Sequence, residues 1–135
     1  MNEISPIGVQ SNLGDDGTMV CHSFDLPRMC PVSGNPQPGS KIEVWYKANA
    51  FFLEIETLGE YIQSYIGGKP MQNGKMIRDM EQTIQQIARD CAQSVEVTVV
   101  VIARLKIADD PQERLRVRDY RVIQRANYEK PMAVV

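Results

Sequence analysis

From Ser40 to Ala48 the chain alternates. Ile42, Val44 and Tyr46 fall on one side and Lys41, Glu43, Trp45 and Lys47 on the other, the period of a half-buried strand. Upstream, Thr18 to Leu26 reads as a short strand. Downstream the period lengthens. Leu58, Tyr61, Ile62 and Tyr65 predict a helix within Phe52 to Ile66, ended by Gly67-Gly68, with Pro70 discouraging a restart. The clearest helical pattern runs from Gly74 to Ala92, where Ile77, Met80, Ile84, Ile87 and Cys91 recur in steps of three and four among polar neighbours. Val95 to Ile107 is β-rich and apolar on both faces through its middle, which predicts a strand covered on both sides. Asp109-Asp110-Pro111 signals a turn. Leu115 to Gln124 reads as the last strand, with Arg114, Arg116, Arg118 and Tyr120 on one face and Leu115, Val117, Asp119, Arg121 and Ile123 on the other.

The order is strand, strand, helix, helix, strand, strand. This predicts an α+β domain, a ββααββ unit whose four-stranded antiparallel sheet carries both helices on one face. Residues 1–17, with Asn, Gly, Asp, Ser and Pro6, read as an extended lead-in, 18–127 as one domain and 128–135 as a tail. A sheet this small has open edges that invite pairing. We therefore expect a homo-oligomer, a ring in which sheets join edge to edge.

Composition narrows the classes. The 135 residues are 43% hydrophobic and 24% charged, an ordinary globular mix. The longest apolar run, Val97 to Ala103, is far short of a membrane span. No basic stretch followed by an apolar core opens the chain, so a cytoplasmic setting is expected, in a microbe or in a host cell if the gene is viral. A formal net charge of −2 argues against a dedicated nucleic-acid binder while leaving room for a local basic patch. Three cysteines, Cys21, Cys30 and Cys91, are an odd number without zinc spacing, so neither a disulfide framework nor a structural metal site is expected. Cys91 falls on the apolar face of the second helix and reads as core.

Cys30 sits elsewhere, inside Pro27-Arg28-Met29-Cys30-Pro31-Val32-Ser33-Gly34-Asn35-Pro36-Gln37-Pro38-Gly39. Four prolines and two glycines in thirteen residues exclude helix and central strand. On the residues alone, a small buried hydrophobe is the default reading of such a cysteine. The other reading is a nucleophile held by a rigid turn, whose backbone N–H groups face developing negative charge.

The segment Asp25 to Gln37 resembles the signature of the QueF family of nitrile reductases, which reads Cys-Pro-x-Thr-Gly-Gln-Pro-Asp at its core. The following strand, Ile42 to Tyr46, and Leu53 to Tyr65, in the place of the family's Glu-x-Lys-x-x-Lys-x-Tyr segment, extend the likeness over about residues 18–125. The resemblance implies the tunnelling fold, ββααββ units assembled into barrels with active sites at subunit contacts. It also implies chemistry on 7-cyano-7-deazaguanine, in which the cysteine adds to the nitrile carbon to form a thioimide. Reductases of the family then deliver hydrides from NADPH. Amidinotransferases resembling it let ammonia attack a thioimide on a nucleic-acid base.

The chain departs from that pattern at four places. The family's acid, seven residues after the cysteine, is Gln37 here, which can orient a substrate but not donate a proton usefully. The two lysines of the cofactor segment correspond to Glu56 and Gly59. The family's His-Glu pair falls at Gln72-Asn73, whose amides still suit a purine-like edge. A Pro-Arg-Gly-Gly-like segment is missing near the C-terminus. NADPH is therefore not expected, nor is any other cofactor. The expected activity is thioimide formation at Cys30 on a 7-deazaguanine nitrile, free or within DNA or RNA, resolved by ammonia or water. Candidate residues are Cys30, His22 (the one histidine, as acid or base) and Gln37 for catalysis, and Glu54, Gln72 and Asn73 for the base. Asp25 is a further candidate for the missing acid. Arg114, Arg116 and Arg118 are candidates for phosphate contact. The alternatives are a non-catalytic ring-forming binding or scaffold subunit, and a reductase with an unusual cofactor mode.

Overall fold

The computed structural model describes residues 7–14, 16–30, 33–70, 76–77, 79–108 and 117–131. The elements in chain order are β1 (Val9–Ser11), β2 (Met19–Asp25), β3 (Lys41–Lys47), β4 (Phe51–Leu53), α1 (Ile55–Gln63), β5 (Lys69–Pro70), β6 (Met76–Ile77), α2 (Met80–Val95), β7 (Val99–Ala108) and β8 (Val117–Ala126). The architecture is α+β. The main sheet has four strands in the order β2-β3-β7-β8, and every neighbouring pair is antiparallel. Two further antiparallel pairs, β1-β4 and β5-β6, flank it.

The alternation in β3 is realised as expected, with Ile42, Val44 and Tyr46 buried and Lys41, Trp45 and Lys47 exposed. Because paired residues of an antiparallel ladder share a face, the register Ile42↔Ala103, Val44↔Val101 and Tyr46↔Val99 continues that buried face into β7. Both helices close over it. Leu58, Tyr61 and Ile62 of α1 and Ile84, Ile87, Ala88, Cys91 and Val95 of α2 are buried in one core with these strands. α1 lies over β2, where Gly59 faces the Phe24 ring.

Helix limits differ from the periodic pattern because capping groups decide them. Glu54 accepts the N–H groups of Glu56 and Thr57, so α1 starts at Ile55, after β4, rather than near Phe52. Asp79 accepts the Gln82 N–H, so α2 starts at Met80 and not at Gly74, and Ile77 belongs to β6. α2 runs on to Val95 and ends at Glu96 with φ 59°, so the strand expected from Val95 begins at Val99.

The described part of the expected lead-in is extended and tied to the domain, and the expected cover on both faces of β7 is corrected. β1 pairs with β4, Gly8 N–H donates to Thr57 Oγ1 at 2.8 Å, and Ile7 is buried. The second face of β7 is not covered by any described element: Val100 and Ile102 are only half-buried, and Arg104 is exposed. Their apolar character is met by neighbours in the sheet, Trp45 beside Val100 and Ile123 beside Ile102. The turn expected at Asp109 to Pro111 and the start of the last strand lie outside the described residues.

Candidate active site

The segment from Leu26 to Gly39 leaves the end of β2 and returns to β3, and its fold is set by three sets of bonds. Within the loop, Asn35 O accepts the N–H groups of both Met29 and Cys30 at 3.0 Å, and Gly34 N–H donates to Cys30 O at 2.8 Å. Gly34 has φ +69° and Gly39 φ +94°, backbone values that glycine adopts without steric penalty. The Asn35–Pro36 peptide is cis. Toward β7, the Asn35 side chain acts as a surrogate strand: its Nδ2 donates to Ala108 O (2.9 Å) and its Oδ1 accepts Ala108 N–H (3.0 Å). Gln37 N–H donates to Lys106 O at 2.6 Å, and Ser40 Oγ accepts Lys106 N–H at 2.8 Å. Toward α1, Gly67 N–H donates to Met29 O at 2.7 Å.

Cys30 is half-buried in this frame and outside any disulfide. Ser33 N–H donates to its Sγ at 3.5 Å. The other cysteines lack such a setting. Cys91 is fully buried in α2, and burial, then Asp90, pushes its thiol up. Cys21 is exposed on β2, and burial together with Glu43 raises its pKa. A thiol with a raised pKa carries less thiolate at neutral pH.

The remaining candidates separate into two groups at opposite ends of α1. Gln37 is with Cys30: its Nε2 donates to Gly34 O (3.2 Å) and Asn35 Oδ1 (3.0 Å), so this amide group serves the loop itself. His22 is not with Cys30. Its Nε2 lies 2.9 Å from Tyr46 Oη, which in turn accepts the Leu53 N–H at 2.9 Å, next to the start of α1. Cys30 is tied through Met29 to Gly67, beyond the other end of a nine-residue helix that is about 13 Å long. These bonds set His22 and Cys30 toward opposite ends of α1, and burial lowers the His22 pKa, which favours the neutral ring. Glu54 also stands at the start of α1, where its carboxylate caps the helix. Asp25 pairs with Lys41 at 3.6 Å on the surface.

Gln72, Asn73, Arg114 and Arg116 lie outside the described residues. Arg118 is exposed on β8 opposite Ile107. Glu56 is exposed in the first turn of α1. A Cβ at Gly59 would stand 3.4 Å from Phe24 Cε1, in contact with the ring edge.

Sequence reasoning missed a concave site beside the loop. A cavity of about 530 Å³ is lined by Gly39, Lys41, Arg104, Lys106, Asp119 and Arg121, with Leu105 and Tyr120. Its cations come from three strands and meet only through register, although the alternation of β3 already placed Lys41 on the helix-free side. Among the described residues no group of histidine, cysteine and carboxylate side chains forms a metal site.

Comparison of the chain with family models and with curated proteins finds no match.

Proposed function

We propose that the protein is a QueF-like enzyme of the tunnelling fold that uses Cys30 as a covalent nucleophile on a 7-cyano-7-deazaguanine-type nitrile, free or within DNA or RNA. The observation that carries this reading is the Cys30 loop: a half-exposed thiol that accepts a backbone N–H, in a turn braced against β7 and α1. Cys30 and Gly34, which match the family signature, take part in this bonding, whereas Asn35, which braces the loop to β7, stands where the family has Gln. In the proposed step the sulfur bonds to the nitrile carbon, one C≡N π bond is lost, and the thiol proton ends on nitrogen. Ammonia then adds to the thioimide carbon and the C–S bond breaks, returning the thiol and leaving an amidine. Water in place of ammonia leaves an amide.

Hydride reduction is not part of the proposal. Glu56 and Gly59 stand where the family's cofactor lysines would be, an anion and a residue without a side chain in place of two cations. Assembly into rings belongs to the proposal too. Among the described residues no strand pairs with the outer edge of β2 or of β8, and β8 exposes Val117 and Ile123. With His22 and Glu54 at the far end of α1, the groups that complete the site around Cys30 are expected from a neighbouring subunit.

The test is intact-mass analysis after incubation with the nitrile base, alone and in an oligonucleotide. The proposal expects an adduct of the mass of the base that disappears in Cys30→Ala and that ammonia converts to amidine. Absence of an adduct from an assembled protein with both substrates would leave the scaffold alternative standing.

A further inference from the structure

The helix-free face of the main sheet is basic on an acidic protein. Its side chains follow from the register: Asp25, Lys41, Arg104 and Arg121 lie in one row, Ser23, Glu43, Ile102 and Ile123 in the next, and Cys21, Trp45, Val100 and Arg125 in a third. With Lys47 and Lys106 the face holds six cations against three carboxylates, Asp25, Glu43 and Asp119, on a chain of formal net charge −2. The three carboxylates are each engaged, Asp25 with Lys41, Glu43 with Arg104 and Asp119 with Lys106. Among the described residues no carboxylate pairs with Arg121 or Arg125. Such an excess calls for an anionic partner.

The cavity of about 530 Å³ is the concave end of this face. Gly39 forms part of its wall, and a Cβ there would come within 3.1 Å of Lys106 Cδ and Cε, so the lysine stem lies across the glycine. Guanidinium and ammonium groups converging on such a volume suit a phosphate. The charge extends beyond it. Arg125 is four residues along β8 from Arg121, about 13 Å away, in the row of Trp45, which is 37% exposed. A single phosphate does not span that distance, whereas a strand of several nucleotides does. A basic track with an aromatic surface beside it is the physical design of single-strand recognition.

We propose that this face binds a single strand of nucleic acid, with a backbone phosphate in the cavity among Lys41, Arg104, Lys106 and Arg121 and bases against Trp45. This deepens the reading of Cys30 by making the nitrile base polymer-bound, and it rests on that reading only for the base acted on. The loop that holds Cys30 ends at Gly39 in the cavity wall.

Fluorescence anisotropy with a labelled single-stranded oligonucleotide lacking any nitrile tests it, using the full chain and its Cys30→Ala variant. Binding is expected to be equal in both, which separates this proposal from the cysteine chemistry. The logarithm of the binding constant should fall with that of salt with a slope near −1.4 for two phosphates, one in the cavity and one at Arg125 (about −0.7 each). Arg125→Ala should reduce the slope by about 0.7, Arg121→Ala should weaken binding, and Trp45→Ala should weaken it about tenfold. Arg89→Ala, on the exposed side of α2, should change neither. No binding at low salt, equal affinity for a 5′-mononucleotide, or equal loss in Arg89→Ala and Arg121→Ala would each overturn the proposal.

Discussion

Asn35 holds the cysteine loop to the sheet, and Asn35→Ala removes that hold. Its side chain makes three bonds: Nδ2 to Ala108 O, and Oδ1 from Ala108 N–H and from Gln37 Nε2. Each is worth about 1 kcal/mol net, and a buried backbone group left without a partner costs about 1–3 kcal/mol. Ala108 is only 3% exposed, so both of its backbone groups lose their partner where water enters poorly. Allowing for water reaching one of them, the variant should lose about 3 kcal/mol, or about 1.5 M in the urea midpoint at a slope of ~2 kcal/mol/M. Asn35→Asp keeps the acceptor and loses the donor, so it should fall between. Native-state hydrogen exchange should show the Cys30 and Gly34 amides, both bonded inside the loop, losing protection more than amides of α2. A midpoint shift below about 0.25 M, roughly 0.5 kcal/mol, would refute the role given to Asn35.

Three other outcomes follow from the same geometry. Gln37→Asp, which restores the acid of the resembled family, should destabilise the fold by about 1–3 kcal/mol in urea titration. It deletes two donated bonds and sets a carboxylate against Gly34 O and Asn35 Oδ1. Glu54→Ala should cost about 1 kcal/mol through the lost cap of α1, measured by thermal unfolding. Burial holds the pKa of His22 below its ordinary 6.5, so the unfolded chain binds its proton at higher pH than the folded one. The stability His22 contributes is present above about pH 6.5 and is lost as pH falls through the folded value; urea midpoints between pH 7.5 and 5 should fall less in His22→Phe than in the parent.

The elements legible in the sequence were those that bury one side within the chain. β3 shows its period of two and α2 its steps of three and four because Ile42, Val44, Ile84 and Ile87 meet the core directly. β1 left no such mark. Its three residues are all exposed, and its place comes from backbone pairing with Phe51–Leu53. The starts of α1 and α2 were misplaced because a cap outranks an apolar position when a helix begins. Cys30 was legible through its prolines. Its setting was not, since Asn35, Ala108 and Gly67 are far apart in the chain and joined only by the fold. The face carrying Arg104, Arg121 and Arg125 was hidden for a related reason: its cations come from three strands, β3, β7 and β8, and only their register sums them.

The account stands or falls on which sulfur meets the nitrile. Peptide mapping by tandem mass spectrometry at mildly acidic pH, after incubation with the 7-deazaguanine nitrile and with no reductant or ammonia added, addresses that directly. The adduct is predicted on Cys30 alone, unchanged in Cys21→Ala and absent in Cys30→Ala. An adduct on Cys21, or none on a folded protein given both free and strand-bound base, would contradict it.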